Sequence, residues 1–497
     1  FNAVRMAHHP MAPAMLRACD ELGMYVMDEA FDMWSRCKSD FDYGLYFGEC
    51  WEKDIEAMVR QDYNHPSVIM YSLGNEIAEL SNGQGRKVCS RLNKKVKELD
   101  ATRYTLTAVN GAFVAGNRLN EMVSELIAEF YPEGEISGNV NDFLSLLGEH
   151  MAEVVRHDVI TDSLDKIYGL TDLAGYNYMH YRYDNDIEKY PNRIIVGSET
   201  CPPHIVDIWP LVKKYPRIIG DFTWTGWDYI GEAGVGSISY EGQDESCDLW
   251  PAQTAEVGDF DLTGFRLPIS YLREIVFGRR TNPYIAVQNP HHYGEDRHMS
   301  LWCLGDALEN WSWDYEEGKP VIVEVYSAGT EVELIKNGVS QGRKAAGEGA
   351  RSRALFETTY EKGKLEAVSY DGERELGRSV LSSVRGEIQL CVNAEKEERK
   401  WPYFVKNAVL CFIHIQLCDL DGVVDMEHDV SISLEIDGKA KLLGFGSGNP
   451  KSESNYNGYE CRTFHGRALA IIDKGENQGK CRVIIKTADG KRAECCC

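Results

Sequence analysis

DYNHPSVIMYSLGNE, residues 62–76, is the stretch on which the fold turns. The turn residues Asn64, His65 and Pro66 lead into an apolar run, Ser67 to Leu73, which ends in the polar triplet Gly74, Asn75, Glu76. A short apolar run without alternation reads as a strand buried on both faces, the habit of parallel sheets. A buried strand that delivers an amide and a carboxylate at its C-terminal end is how a parallel α/β barrel builds an active site. Glu76 is therefore a candidate catalytic acid/base.

The flanks repeat the pattern. Upstream, NAVRMAHHP (2–10) reads as a short strand broken at Pro10, then Met15, Leu16, Cys19 and Leu22 recur at helical spacing up to a C-cap glycine, Gly23. The next strand, Met24 to Met27, ends in Asp28-Glu29, and Trp51, Ile55, Met58 and Val59 share one helical face before the opening stretch. Downstream, Val88, Leu92, Val96 and Leu99 predict a helix and Tyr104 to Val109 a strand rich in β-formers. Further strands are predicted at Leu173 to Tyr178, at Arg193 to Gly197 running into Ser198-Glu199, and at Ile218 to Trp224. Alternating strand and helix with short loops implies an α/β fold with a parallel sheet. The expectation is a (β/α)8 TIM barrel over residues 1–290, with seven strands beginning near 3, 24, 68, 104, 173, 193 and 218. Residues 118–170 read as mainly helical and longer than one crossover needs, hence an extra helix or a lid.

After about residue 290 short alternating segments lie between Gly, Asn-Gly and Asp-Gly turns. They include VIVEVYS (321–327), EVELIKNGVSQGR (331–343) and KLEAVSYDGER (364–374), and Asn337-Gly338 is a strong hairpin signal. ISLEIDGKAKLLGFG (432–446) and CRVIIKTADGKR (481–492) belong to a second such module. Two β-sandwich domains are expected, 291–385 and 386–497. Trp311, Trp313 and Trp401 are assigned to their packing rather than to sugar binding.

The 497 residues are too many for one core, and 43% hydrophobic with 26% charged residues is ordinary globular composition. A net charge of −25 repels phosphate backbones and anionic lipid, so neither nucleic acid nor a membrane is an expected partner. No apolar run reaches the roughly 18 residues that span a bilayer. Fifteen cysteines without metal-ligand rhythm suit a reducing compartment, which points to the cytoplasm; with no leader visible ahead of Phe1, a periplasmic or secreted location stays open.

Glu76 and Glu199 end two different predicted strands, which puts both on one face of a barrel. Paired carboxylates are what glycoside cleavage requires, one protonating the leaving oxygen and the other attacking or stabilising the sugar cation. Tyr178, Trp224 and Trp227 at the same rim suit the apolar face of a sugar. Taken singly, each has a plainer reading: a surface or capping glutamate, a turn histidine, a core aromatic, a solvated pair at Asp28-Glu29. Their convergence on strand C-termini favours the site.

The segments NAVRMAHHP, CDELGMYVMDEAFDMW, DYNHPSVIMYSLGNE, GSET and GDFTWTGWDYIGE, in that order, resemble glycoside hydrolase family 2, the β-galactosidase, β-glucuronidase and β-mannosidase family. The resemblance spans residues 1 to about 290, and the β modules are similar to the immunoglobulin-like C-terminal domains of its β-galactosidase-like members. It implies a retaining mechanism with Glu76 as general acid/base and Glu199 as nucleophile. It also implies that Asn75 bonds the sugar 2-hydroxyl, Arg5 orients and ionises the nucleophile, His8 touches the sugar, and Tyr178 and Trp224 contact the nucleophile and floor the pocket.

There are departures. Met6, His9 and Tyr71 stand where a small residue, a tyrosine and a tryptophan are usual. The family's N-terminal β domains and first barrel strand are not found, so the chain is expected to be a fragment, poorly active or insoluble by itself. The Asn-x-Lys motif that would bind a uronic acid is not found between Trp227 and about 290, which favours terminal β-galactosides over glucuronides; mannosides and a non-catalytic carbohydrate-binding role are the alternatives. An enolase-like barrel lyase would need a carboxylate triad or a base lysine at strand ends, and neither is visible. No metal site and no cofactor are predicted. The expected partner is an oligosaccharide or other glycoside, and a homo-oligomer is compatible with the sequence.

Overall fold

The computed structural model describes residues 1–130, 150–241, 248–395, 399–401, 408–475 and 481–496, in two compact units, Phe1–Trp224 and Thr225–Cys497. The first holds a parallel seven-stranded sheet in sequential order: β1 Ala3–Met6, β2 Tyr25–Glu29, β3 Val68–Asn75, β4 Tyr104–Asn110, β5 Ala174–Asn177, β6 Ile195–Thr200 and β7 Ile218–Thr223. All seven predicted strands are present, with β1 and β7 as the edges of a barrel sheet. The helices between them follow from local sequence. α1, Pro13–Leu22, starts with proline in its first turn and stops at Gly23, whose φ of 69° a side chain would resist. It buries Leu16 and Cys19, whereas Met15 and Leu22 are exposed. α2, Gly44–Asp62, buries Phe47, Trp51, Ile55, Met58 and Val59 on one stripe. α3, Gly83–Leu99, opens on Asn82, whose side chain accepts from the amides of Gln84 and Gly85.

β3 is buried along nearly all its length, which is why its sequence does not alternate. Its outward residues, Tyr71 and Leu73, pack with the helices, and Met70 packs inside with Met27, Leu106 and Val196. Register shifts between Ser72 and Asn75 and between Tyr176 and Asn177 break this alternation at the C-terminal ends of the strands. Such irregularities re-aim side chains, and here they sit where Asn75, Asn177 and Glu199 lie. Of the segment 118–170, helices cover Leu119–Phe130 and Asp158–Ile167, while the central part of the predicted helix or lid, 131–149, lies outside the described residues.

The second unit contains two β-sandwiches. In one, Tyr284–Val287, Pro320–Tyr326 and Arg353–Thr359 form one sheet, and Glu331–Lys336, Val339–Ala345, Lys364–Asp371 and Arg374–Ser382 the other. The predicted hairpin closes at Asn337 and Gly338, whose φ values of 48° and 80° match the left-handed pair of a type I′ turn. Trp311 and Trp313 are buried in the core between these sheets; the side chain of Trp401 lies outside the described residues. In the other sandwich, Ser431–Asp437 and Lys441–Gly446 belong to opposite sheets although only a short loop separates them. Cys391 and Cys418 form a disulfide there. Among the described residues no helix is long and apolar enough to cross a membrane.

Candidate active site

The C-terminal ends of β1, β2, β3, β5 and β6 bring their polar side chains together around one cation. Arg5, on β1, donates from Nη1 to Glu199 Oε2 at 2.7 Å and to the Ser198 carbonyl at 2.9 Å. Its Nη2 donates to both oxygens of Glu29 at 2.9 Å and to Asn75 Oδ1 at 2.9 Å. Side-chain exposure is 4% for Arg5, 0% for Glu29 and 7% for Glu199, so these charges are removed from water and persist by pairing with one another. Ser72 on β3 donates to Glu29 Oε2 at 2.5 Å, and the His8 ring meets Glu29 Oε1 at 2.8 Å. Burial by itself would raise the Glu29 carboxyl, but the Arg5 charge and the bonds from His8 and Ser72 bring it down to about 2. Burial likewise opposes the charge of Arg5, and Glu29 and Glu199 reverse that, raising its pKa.

Glu199, on β6, also accepts from the Tyr178 hydroxyl at 2.5 Å and from Asn177 Nδ2 at 3.1 Å. The same Asn177 Nδ2 approaches Glu76 Oε1 at 3.2 Å, so one amide spans both glutamates. Asn110, at the end of β4, donates to Glu76 Oε1 at 2.9 Å. Glu76 and Tyr178 both adopt left-handed backbone, φ 48° and 56°, an uncommon state for residues with side chains. Hydrogen bonds hold both turns: the Glu76 amide to the Ala108 carbonyl at 2.8 Å and the Tyr178 amide to the Glu199 carbonyl at 2.8 Å. Burial, followed by the charge of Glu199, pushes Glu76 up to about 7. A carboxyl that holds its proton near neutrality beside one bonded to arginine is the division of roles that acid/base chemistry with a second carboxylate needs.

His8 stacks on Trp224, centroids 4.9 Å apart and 3° from parallel, closing the side where β1 and β7 end. The seven sequence-selected residues, Arg5, His8, Asn75, Glu76, Tyr178, Glu199 and Trp224, thus all belong to the barrel unit, linked by these contacts. Trp227, expected at the same rim, belongs to the second unit, where it stacks on Phe260 at 4.9 Å. Four participants had no role from sequence: Glu29, Asn110, Asn177 and Asp32. Glu29, Asn110 and Asn177 end barrel strands and Asp32 lies three residues past the end of β2, so strand-end polarity was the available signal. Among the described residues no group of three or more His, Cys, Asp or Glu is placed to hold a metal ion.

Comparison with known proteins agrees with this geometry. Residues 1–154 match the family description "Glycosyl hydrolases family 2, TIM barrel domain", and residues 406–495 match "Glycoside hydrolase family 2 C-terminal domain 5". Residues 318–377 match a domain of unknown function. The chain is 25% identical to a β-galactosidase of Bacteroides ovatus, over 99% of this chain and 56% of that protein. It is also 25% identical to a Formosa agariphila protein provisionally named β-glucuronidase, over 90% of this chain and 40% of that one. The solved structure of a glycosyl hydrolase family 2 member from Bacteroides cellulosilyticus superposes with a TM-score of 0.82 at 31% identity, covering 100% of this chain and 57% of that one. The chain spans about half the length of the relatives it matches. The barrel segment 1–154 and the C-terminal segment 406–495 of this chain are thus glycoside hydrolase family 2 domains, and the chain over its whole length is similar in fold to a solved member of that family.

Proposed function

We propose that this chain carries the catalytic centre of a retaining exo-glycosidase that cleaves terminal β-galactosides, with Glu199 as nucleophile and Glu76 as acid/base. The observation that carries the reading is the amide of Asn177, in contact with both glutamates at 3.2 and 3.1 Å. Two carboxylate oxygens touching one nitrogen at these distances lie at most about 6.3 Å apart, which is below the ~6.5–9.5 Å of inverting enzymes and admits the ~5–5.5 Å of retaining ones.

In the first step Glu199, aimed by Arg5, Asn177 and Tyr178, attacks the anomeric carbon while Glu76 gives its proton to the leaving oxygen. The bond to the aglycone breaks and a glycosyl ester forms on Glu199. Esterification removes the negative charge that helped raise Glu76, so Glu76 becomes a stronger acid and can act as base toward the incoming water. Water then attacks the same carbon and Glu199 leaves. In this reading Asn75, one hydrogen bond from Arg5, bonds the 2-hydroxyl, and the His8 and Trp224 rings form an apolar wall for the sugar.

A neutral sugar is favoured by charge. Among the described residues the cations at the site are Arg5, bonded to Glu29 and Glu199, and Lys38, bonded to Asp32. Two cations against three carboxylates leave none to neutralise a uronic acid. The Bacteroides ovatus relative is named a β-galactosidase, which agrees; the provisional β-glucuronidase name of the Formosa relative makes glucuronides the competing substrate class. An aryl β-galactoside assay against an aryl β-glucuronide decides between them. Glu199→Gln is expected to lose at least ~10⁴-fold in kcat, and retention of near-normal turnover would end the assignment.

A further inference from the structure

Just beyond β2, Asp32 and Lys38 form an ion pair at 2.7 Å whose remaining hydrogen-bonding capacity is unspent. Asp32 Oδ1 accepts from Lys38 Nζ and, at 3.0 Å, from Asn75 Nδ2, and Lys38 Nζ also donates to the Asn75 carbonyl at 3.0 Å. The pair is thus tied to Asn75 twice. Among the described residues no partner engages Asp32 Oδ2, and an ammonium with two protons used keeps a third. Their side chains are 25% and 31% exposed, against 4% for Arg5 and 7% for Glu199. Beside the buried network they present one charged acceptor and one charged donor side by side. That is the complement of an alcohol, which donates one hydrogen bond and accepts others.

We propose that Asp32 and Lys38 bind the C3 hydroxyl of the sugar and make its presence a requirement for efficient cleavage. The inference rests on the glycosidase reading above and deepens it. Order along the network assigns the hydroxyl: Glu199 faces C1, Arg5 joins Glu199 to Asn75, and Asp32 lies one hydrogen bond beyond Asn75. With Asn75 at C2, the next ring position is C3. A site built to bond a hydroxyl rejects the analogue lacking it strongly, because its polar groups are then enclosed without a partner.

The experiment measures kcat/KM of the active protein on an aryl β-galactoside and on its 2-deoxy, 3-deoxy and 4-deoxy analogues, for wild type, Asp32→Ala and Lys38→Met. Wild type is expected to lose about 10²-fold or more on the 3-deoxy substrate. In Asp32→Ala that penalty shrinks to roughly threefold or less while the 2-deoxy penalty persists, and Lys38→Met falls between, since the carboxylate still accepts. Turnover of the parent glycoside by either variant shows that it is folded. A 3-deoxy penalty unchanged in both variants, or a collapse of the 4-deoxy penalty instead, overturns the inference while leaving the glycosidase reading intact. Absence of turnover by the whole wild-type protein on every glycoside overturns that reading and this inference with it.

Discussion

Asp28 and Glu29 are neighbours on β2, both completely buried, and their environments drive them in opposite directions. Glu29 points into the barrel, where Arg5, Ser72 and His8 satisfy it and bring its carboxyl down to about 2. Asp28 points outward to the layer beneath the helices, where it accepts from the Met11 and Glu29 amides at 3.2 Å and feels the buried carboxyl of Asp62 at the end of α2. Burial first, and then the charge of Asp62, push Asp28 up to about 9, so that pair holds a proton at neutral pH. One peptide bond separates a charge placed for chemistry from a carboxyl kept neutral for packing. Residue type does not tell them apart; the face of the strand does.

The sharpest test of that contrast changes the proton on the inner face. Glu76, half-buried and beside Glu199, holds a proton only up to about 7, so activity should fall as pH rises through about 7. Glu76→Gln should cost ~10²–10⁴-fold in kcat on substrates with poor leaving groups, less on activated aryl glycosides, and should erase that alkaline limb. Retention of the limb in the variant would mean that another group carries it.

Next in size, Glu29→Gln leaves Arg5 with only one carboxylate to aim at, and an activity loss of about 10²-fold is expected in kcat. Asp28→Asn, the same chemical change one residue away, should stay within about threefold of wild type. Equal losses in the two variants would show that the strand face does not matter and would break the comparison.

The smallest effect lies in stability. Glu29 has a depressed carboxyl, so its contribution is present above the ordinary ~4.3 and is lost as pH falls toward about 2. Asp28 has a raised one, so its contribution is present below ~3.9 and is lost as pH rises toward about 9. Melting scans should therefore show Asp28→Asn flattening the decline of Tm between about pH 5 and pH 9, by a few degrees at the upper end. A Tm difference between variant and wild type that does not change across that range would contradict a shared proton.

Much of this was legible in the sequence because the signals are local. The unbroken apolar run of 67–73, Gly23 at the end of α1 and Asn337-Gly338 each report a backbone requirement that one or two residues satisfy. Asn75, Glu76 and Glu199 were legible as polar residues where barrel strands end, whereas Arg5 was singled out only by the family resemblance of its segment. Glu29 was visible as an acid at a strand end, but its place beside Arg5 depends on which way the strand faces. Asn177 was hidden for a different reason: its role arises from the register shift between β5 and β6, which brings it opposite Glu199. The Asp28 and Asp62 pair joins a strand end to the last residue of α2, a contact that no spacing within either segment announces.

The claim that Glu199 attacks and Glu76 assists is tested most directly by trapping the intermediate. Incubation with an activated 2-deoxy-2-fluoro β-galactoside, followed by proteolysis and mass spectrometry, should find one sugar attached to the peptide containing Glu199, and none after Glu199→Gln. A label on the peptide containing Glu76, or an active enzyme that never acquires one, would contradict it.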